Sequence, residues 1–143
     1  MNIDATAPVI ARHTIDIAAS LEAVWKLHTA VNEWPTWQPD ITSATMIGPF
    51  AAGNSFRWLT HGLDITSTVY EVQEPRIVVW GGMSRGITGI HRWSFLAEGD
   101  HIVVHTEESW DGDPIRADVA SMQSALDQSL RAWLRYLKAT AER

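Results

Sequence analysis

A glutamate and a histidine on two neighbouring predicted strands are the residues of this sequence best suited to acid–base chemistry. Glu108 lies in the run Ile102–Trp110 and His91 in the run Ile87–Leu96, and side chains in both runs alternate between two faces. A carboxyl group that faces an apolar interior loses hydration, which raises its pKa and makes it a better proton donor near neutral pH. A nearby imidazole would supply the base. The alternative interpretation is structural, with both groups satisfied by backbone or water.

Two other patterns of reactive residues have simpler explanations. The run Gly82–Gly86 matches G-x-S-x-G, but a nucleophilic Ser84 would require a strand that turns into a helix, and the residues after Gly86 begin another strand pattern. A hairpin loop explains its two glycines better. His61, His91 and His105 lie on different predicted strands without the close spacing of zinc ligands. We therefore predict neither a metal site nor a cofactor.

Composition excludes several classes of function. A chain of 143 residues is expected to form one domain, residues 1–143, and its net charge of −6 argues against a nucleic-acid partner. The absence of cysteine excludes disulfides and thiolate chemistry. The first residues lack the pattern of a signal peptide, and no apolar run approaches the roughly 20 residues of a membrane span. We expect a soluble, cytoplasmic protein.

Tryptophan is unusually frequent, with eight residues against two tyrosines and three phenylalanines. Two of them, Trp34 and Trp37, lie between prolines in a segment that can form only a short helix or a structured loop. Large rigid aromatic side chains either fill a core or line a pocket for a flat apolar ligand. Both interpretations stay open for Trp34 and Trp37.

The elements that must position these residues are mostly strands. A first strand at Val9–Ile17 is followed by a helix capped by Ser20, whose apolar face carries Trp25 and His28. Connections of two to five residues then separate six more predicted strands, which favours an antiparallel meander. These strands are Ile41–Ile47, Ser55–Thr60, Leu63–Val72, Ile77–Gly81, Ile87–Leu96 and Ile102–Trp110.

The chain ends in a pattern that predicts one long amphipathic helix from Asp113, as N-cap, to about Lys138. Pro114 suits its first turn. A curved antiparallel sheet with one apolar face would bury the apolar stripe of this helix and its own face together, which gives an α+β fold. The stripe consists of Val119, Met122, Leu126, Leu130, Trp133 and Leu137.

Four segments, taken in order, carry a resemblance to a known superfamily: Ile15–Trp25, Trp34–Trp37, Glu74–Trp80 and the spacing from Glu108 to Gly112. Over roughly Val9 to Leu137 the chain resembles the START-like, or birch-pollen-allergen-like, superfamily (SRPBCC), which is also grouped as polyketide cyclase/dehydrase and lipid-transport proteins. The resemblance implies a helix-grip fold, in which a curved seven-stranded sheet wraps around the long C-terminal helix, with two short helices after the first strand. It also implies a deep cavity between sheet and helix that holds sterols, lipids, hormones or polyketide intermediates.

Strand alternation and the family spacing of Glu108 predict which side chains face that cavity. On the C-terminal helix we expect Leu130, Trp133 and Leu137 to pack on the sheet, and the residues nearer its start to form a cavity wall. The predicted ligand-binding residues are Trp34, Trp37, Phe56, Trp58, Ile65, Trp80, His91, Trp93, Phe95, Glu108, Trp110, Val119, Met122 and Leu126.

Three functions follow from these expectations. The first is binding of a hydrophobic, aromatic or polycyclic small molecule of polyketide or lipid type. The second is an enzyme, a polyketide cyclase, aromatase or dehydratase, in which Glu108 and His91 act as acid and base in an aldol-type cyclisation or a dehydration. The third is a protein-interaction module whose cavity is closed. Neither the ligand nor the oligomeric state follows from the sequence, and fold alone does not choose among the three.

Overall fold

The computed structural model describes residues 1–143, and its main feature is one antiparallel sheet in the order β1-β7-β6-β5-β4-β3-β2. The chain meanders from β2 to β7, and β1 then pairs with β7 at the far edge of the sheet. The predicted helix-grip fold with seven strands is confirmed. The strands are β1 Val9–Ile17, β2 Ile41–Met46, β3 Ser55–Thr60, β4 Leu63–Gln73, β5 Ile77–Ser84, β6 Ile87–Glu98 and β7 His101–Asp111.

Four helices cover one face of this sheet: α1 Leu21–Thr29, α2 Trp34–Trp37, α3 Asp113–Arg116 and α4 Val119–Ala141. Ser20 caps α1 as predicted, because its Oγ accepts a hydrogen bond from the backbone N–H of Ala23 at 3.1 Å. A 3-10 turn at Val31–Glu33 leads into α2. No helix combines the length and apolar character needed to cross a bilayer.

The prediction of one continuous C-terminal helix from Asp113 is wrong at its start. The short helix α3 ends at Arg116, and Asp118 then takes an extended φ of −154° and caps α4 by accepting a hydrogen bond from the N–H of Ser121 at 3.3 Å. The break turns Ile115 into a small cluster with β1 and α4, where it is fully buried. The apolar periodicity continues through both segments, but the cap at Asp118 and the buried side chain of Ile115 separate them into two helices.

Two hairpins at the same end of the sheet use two-residue turns. His61-Gly62 joins β3 to β4 and Arg85-Gly86 joins β5 to β6, and all four residues have positive φ, between 49° and 78°. This left-handed pair matches the twist of the flanking strands. The predicted end of β5 at Gly81 is three residues short, because pairing continues as far as Ser84 opposite Ile87.

Strands β5 and β6 approach each other closely at three glycines. A Cβ atom on Gly81 would lie 2.1 Å from the carbonyl oxygen of Gly89, so no larger residue fits there without moving the strands apart. Gly82 and Gly89 face each other across the same ladder. Because Gly81, Gly82 and Gly89 carry no side chains, they leave open space on the concave face of the sheet.

The core divides into a large aromatic cluster and a small aliphatic one. In the aromatic cluster Trp34 lies 5.1 Å from Trp133 and 5.3 Å from Phe56, measured between ring centroids, and Trp25 meets Phe95 edge to face at 5.6 Å. The aliphatic cluster joins β1, α3 and α4 through Val9, Ala11, Ile115, Leu126 and Leu130. Between these two clusters the sheet and α4 separate.

Candidate functional site

The space between the concave face of the sheet and α4 is a cavity of about 940 Å³. Its sheet side carries aromatic and aliphatic side chains together with one histidine and one glutamate. A volume of this size holds a drug-sized or polycyclic molecule. The sheet-side wall comprises Trp58, Ile65, Ser67, Trp80, Gly81, Gly82, Ile87, Gly89, His91, Glu108 and Trp110.

Glu108 is the polar centre of this wall. Its Oε1 lies 3.1 Å from Nδ1 of His91, and its Oε2 accepts a hydrogen bond of 2.6 Å from the indole N–H of Trp110. His91 is further fixed through Nε2, which lies 2.7 Å from the hydroxyl of Thr106. The His91 side chain is 2% exposed and the Glu108 side chain 16% exposed, so the carboxyl group is the member of the pair that reaches the cavity.

Burial sets the protonation of this pair. Desolvation raises the pKa of Glu108 to about 7, against the smaller opposing effect of the hydrogen bond from Trp110. Desolvation, with a contribution from His28, holds the pKa of His91 well below its usual value. His91 is therefore neutral at physiological pH, while Glu108 is close to half protonated. Such a carboxyl group can both donate and accept a proton near neutrality.

A second histidine lies behind the wall. His28 of α1 is fully buried, its Nε2 accepts a hydrogen bond of 3.2 Å from the indole N–H of Trp80, and its Nδ1 has no partner. Desolvation lowers its pKa to about 3. Its ring centroid lies 4.4 Å from that of Trp93. His28 therefore acts as a neutral aromatic spacer that holds Trp80 in place.

Small residues form the α4 side of the cavity. Ala125, Ser129 and Ala132 recur at helical spacing beside the apolar stripe, and Met122 and Tyr136 extend the same face toward the two ends of the helix. Because these side chains are short at the centre, α4 can lie over the sheet without filling the space beneath it. The cavity therefore depends on small helix residues, which contribute little to the hydrophobic periodicity of α4.

The rim of the cavity is basic. Arg85 of the β5–β6 turn and Arg131 and Arg135 of α4 line it and are exposed, and His61 of the β3–β4 turn joins them. Asp40 is the acidic residue of the lining besides Glu108.

A family model described as polyketide cyclase / dehydrase and lipid transport matches residues 8–142. The chain belongs to this family. No curated protein matches it. Among solved structures, a hypothetical protein from Helicobacter pylori superposes with a TM-score of 0.82 at 18% identity, covering 97% of this chain and 91% of that one.

Two further structures share the fold. A START superfamily protein from Mycobacterium smegmatis has a TM-score of 0.77 at 15% identity and covers 93% of this chain and 97% of its own. Truncated norcoclaurine synthase from Thalictrum flavum has a TM-score of 0.71 at 12% identity and covers 90% of both chains. At these identities the likeness concerns the fold.

Within this member of the polyketide cyclase/dehydrase and lipid-transport family, the structure brings half of the predicted ligand-binding residues together on the cavity wall. They come from β3 to β7 and from α4. These residues are Trp58, Ile65, Trp80, His91, Glu108, Trp110 and Met122.

The other predicted residues lie away from the cavity wall. Trp34, Trp37, Phe56, Trp93 and Phe95 are buried in the aromatic cluster together with residues of α1 and α4. Trp34 also donates its indole N–H to the carbonyl oxygen of His28 at 2.9 Å, as a packed core residue would. Alternation correctly places these strand residues on the inner face, but α1 and α2 close that part of the face.

Two residues of α4 require a correction of the expected cavity wall. Leu126 is fully buried against β1 and α3, so it belongs to the aliphatic cluster. Val119 is 40% exposed at the first residue of α4, where the break after α3 turns it outward. Trp133, expected to pack on the sheet, lies in the core and also contributes to the cavity lining.

The G-x-S-x-G run does not form the strand-to-helix turn that a nucleophilic serine would require. Ser84 lies at the end of β5, one residue before a hairpin turn, and the chain continues as a strand instead of a helix. No group of three histidine or acidic side chains is arranged to hold a metal ion.

Proposed function

We propose that this protein binds a hydrophobic, aromatic or polycyclic small molecule, of polyketide or lipid type, in the cavity between the sheet and α4. One observation carries the proposal: a cavity of about 940 Å³ has an aromatic and aliphatic wall with a single carboxyl–imidazole pair in it. Apolar walls with a few placed polar groups are typical of small-molecule sites. The family description, which includes lipid transport, supports the same function.

Intrinsic fluorescence tests this proposal, because Trp58, Trp80, Trp110 and Trp133 line the cavity. Candidate ligands from a panel of lipids and aromatic polyketides should change tryptophan emission saturably and raise the melting temperature. Native mass spectrometry of the purified protein provides an independent search for a co-purifying molecule. A broad panel without either effect would contradict the proposal.

The Glu108–His91 pair favours a second candidate function, acid–base catalysis on a bound poly-ketone. In an aldol-type cyclisation, a methylene carbon loses a proton and bonds to a carbonyl carbon, whose oxygen gains a proton. In a later dehydration the resulting hydroxyl group gains a proton and leaves as water, while the neighbouring carbon loses a proton and a C=C bond forms. Glu108 suits both transfers, since its pKa of about 7 lets it donate and accept in turn. Burial lowers the pKa of His91, and its Nδ1 lies 3.1 Å from Oε1 of Glu108, so in this function His91 would also hold the carboxyl group in position.

Turnover of a synthetic poly-β-ketone tests this second function. Glu108→Gln should lower the rate by roughly 10²–10⁴-fold, the usual contribution of a general acid or base. Glu107→Gln is the matched control, because Glu107 faces the outer side of β7 and binds Arg12. Cyclisation that survives both Glu108→Gln and His91→Ala would exclude those roles.

The third function, a protein-interaction module with a closed cavity, receives no support from the architecture. Such a module would fill the space beneath α4 with side chains, whereas here Ala125, Ser129 and Ala132 leave it open.

A further inference from the structure

The charge at the rim of the cavity is opposite to the charge of the protein as a whole. The chain carries a net charge of −6, yet the rim bears Arg85, Arg131 and Arg135 against a single aspartate, Asp40. These arginines come from two elements distant in sequence, the β5–β6 turn and α4. The fold therefore gathers positive charge at the opening of an apolar cavity.

None of these three guanidinium groups has a carboxylate within 4 Å, whereas Arg12, Arg57 and Arg116 each have one. Arg135 lies over the ring of Tyr136, with Cζ 4.9 Å from the centroid, and its Nη2 donates a hydrogen bond of 3.5 Å to the hydroxyl of Tyr136.

The carboxylates that interact electrostatically with Arg85 and Arg131 are already bound to other side chains. Asp64, near Arg85, accepts two hydrogen bonds from Arg57 at 2.9 and 2.6 Å. Asp127, near Arg131, lies 3.0 Å from His13 and accepts a hydrogen bond from Gln123 at 3.2 Å.

The turns at the rim hold their basic residues at some conformational cost. His61 has a φ of 49° and Arg85 a φ of 52°, at turn positions where glycine, asparagine or aspartate is favoured. A left-handed conformation is unfavourable for other residues. Despite this cost, the first residue of each turn is His61 or Arg85, and both side chains line the opening of the cavity.

The interior of the cavity disfavours a negatively charged ligand group. Glu108 is the only ionisable group there that can become charged at neutral pH, and its charge is negative. From the Arg85 turn to His91, which contacts Glu108, β6 runs four residues beyond Ile87, about 13 Å at strand spacing. A ligand with an acidic group is repelled by the interior carboxyl group and attracted by the rim.

We propose that the ligand of this cavity is an amphipathic organic anion whose apolar body lies against the tryptophan-lined wall and whose acidic group lies at the rim on Arg85, Arg131 and Arg135. This inference rests on the proposed binding function and adds the charge and orientation of the ligand. The shared chemistry is an acidic head, either a carboxylate or a phosphate, on an aromatic or aliphatic body.

Two fluorescent probes with the same rings isolate the charge. 8-Anilinonaphthalene-1-sulfonate is an anion, and N-phenyl-1-naphthylamine is its uncharged counterpart. Wild-type protein should bind the sulfonate more tightly, and this preference should weaken as sodium chloride rises from about 50 to about 500 mM. Arg131→Gln/Arg135→Gln should lower affinity for the sulfonate about tenfold while leaving that for the neutral probe unchanged.

The control variant Lys26→Gln/Arg143→Gln removes two exposed positive charges from residues outside the cavity lining. It should keep the wild-type preference for the sulfonate. Displacement of the neutral probe by dodecanoate, dodecyl phosphate and dodecanol then distinguishes the two acidic heads from each other and from an uncharged chain.

The outcomes separate this inference from the binding function on which it rests. If both probes bind with equal affinity and the arginine variant changes neither, the cavity binds ligands but the anionic head is refuted. Equal losses in the arginine and control variants would show that only overall charge matters, which also refutes it. If neither probe binds, the inference fails, and the panel of lipids and aromatic polyketides decides separately whether the proposed binding function fails as well.

Discussion

A single carboxyl group, Glu108, determines the chemistry of the cavity. Two side chains, His91 and Trp110, contact its two oxygens, and the hydroxyl of Thr106 contacts the other ring nitrogen of His91. Burial makes both the glutamate and the histidine neutral more readily than in water. The wall therefore presents a nearly uncharged polar group to a ligand below pH 7 and a carboxylate above it.

This protonation predicts how stability depends on pH. The pKa of Glu108 is raised to about 7, so between its usual value of 4.5 and about 7 the folded protein binds more protons than the unfolded chain. The contribution of Glu108 to the free energy of unfolding should therefore fall as pH rises through this window, by about 3 kcal/mol in total. In urea unfolding, the free energy of unfolding of Glu108→Gln relative to wild type should therefore rise by about 3 kcal/mol across the same window. A variant whose unfolding free energy tracks wild type from pH 5 to pH 8 would contradict it.

The two buried histidines act in the opposite direction. Their pKa values are lowered, so below about 6.5 the unfolded chain binds protons that the folded protein excludes. Stability due to His28 and His91 is complete above pH 6.5 and is lost as pH falls. Together with Glu108 this places the expected stability maximum near pH 6.5, on the acid side of which the two histidines outweigh the one glutamate.

Strand alternation predicts that Glu108 and His91 face the inner side of the sheet, because the period of two depends only on the backbone. It cannot separate a packed inner-face residue from a cavity-wall residue. Trp93 and His91 lie on the same face of β6, yet α1 covers Trp93 through His28, and the space above His91 stays open. The difference depends on where other elements end, which no local pattern contains.

At the scale of elements, α4 has two working faces. One packs Leu126 and Leu130 on β1 and α3, and the other presents Ala125, Ser129 and Ala132 to the cavity. Hydrophobic periodicity identifies the first face and is silent about the second, because small residues carry little apolar signal. The sequence therefore predicts that α4 packs on the sheet, but it does not predict which side of α4 faces the cavity.

Substitutions on these two faces should have opposite effects. Leu126→Ala removes a fully buried side chain and should lower the free energy of unfolding by about 2–5 kcal/mol while ligand affinity is retained. Met122→Trp extends into the cavity and should abolish probe binding with less than about 1 kcal/mol change in stability. Denaturant titration and binding of N-phenyl-1-naphthylamine measure the two effects. The reverse pattern would mean that the faces are exchanged.

For the whole molecule, the sheet order ranks the strands by how well they are enclosed. β6 and β7 have partners on both sides, whereas β2 is an edge strand paired only with β3. Hydrogen exchange should therefore be slowest in the centre of β6 and β7 and faster in β2 and in the rim turns. Adding the neutral probe should slow exchange at the turns around His61 and Arg85. Uniform protection along the sheet would contradict this ranking.

The overall fold follows from the sequence more completely than the site does. Strand limits at Val9–Ile17 and Ser55–Thr60 agree with the prediction residue for residue, since turn residues and alternation mark both ends. The rim arginines escape sequence reasoning because Arg85 and Arg131 are far apart in the chain and converge only once the sheet has curved around α4.

Synthesis of this chain completes the sheet in an unusual order. β1 is made before the other strands, yet its partner is β7, with Ile15 opposite Val104, so β1 has no neighbour until the meander is finished. α4 follows β7 and is the last element to form. Until then the tryptophan-lined face is open to solvent, which is the kind of surface that chaperones protect in nascent chains. The cavity can therefore close only after α4 has been translated.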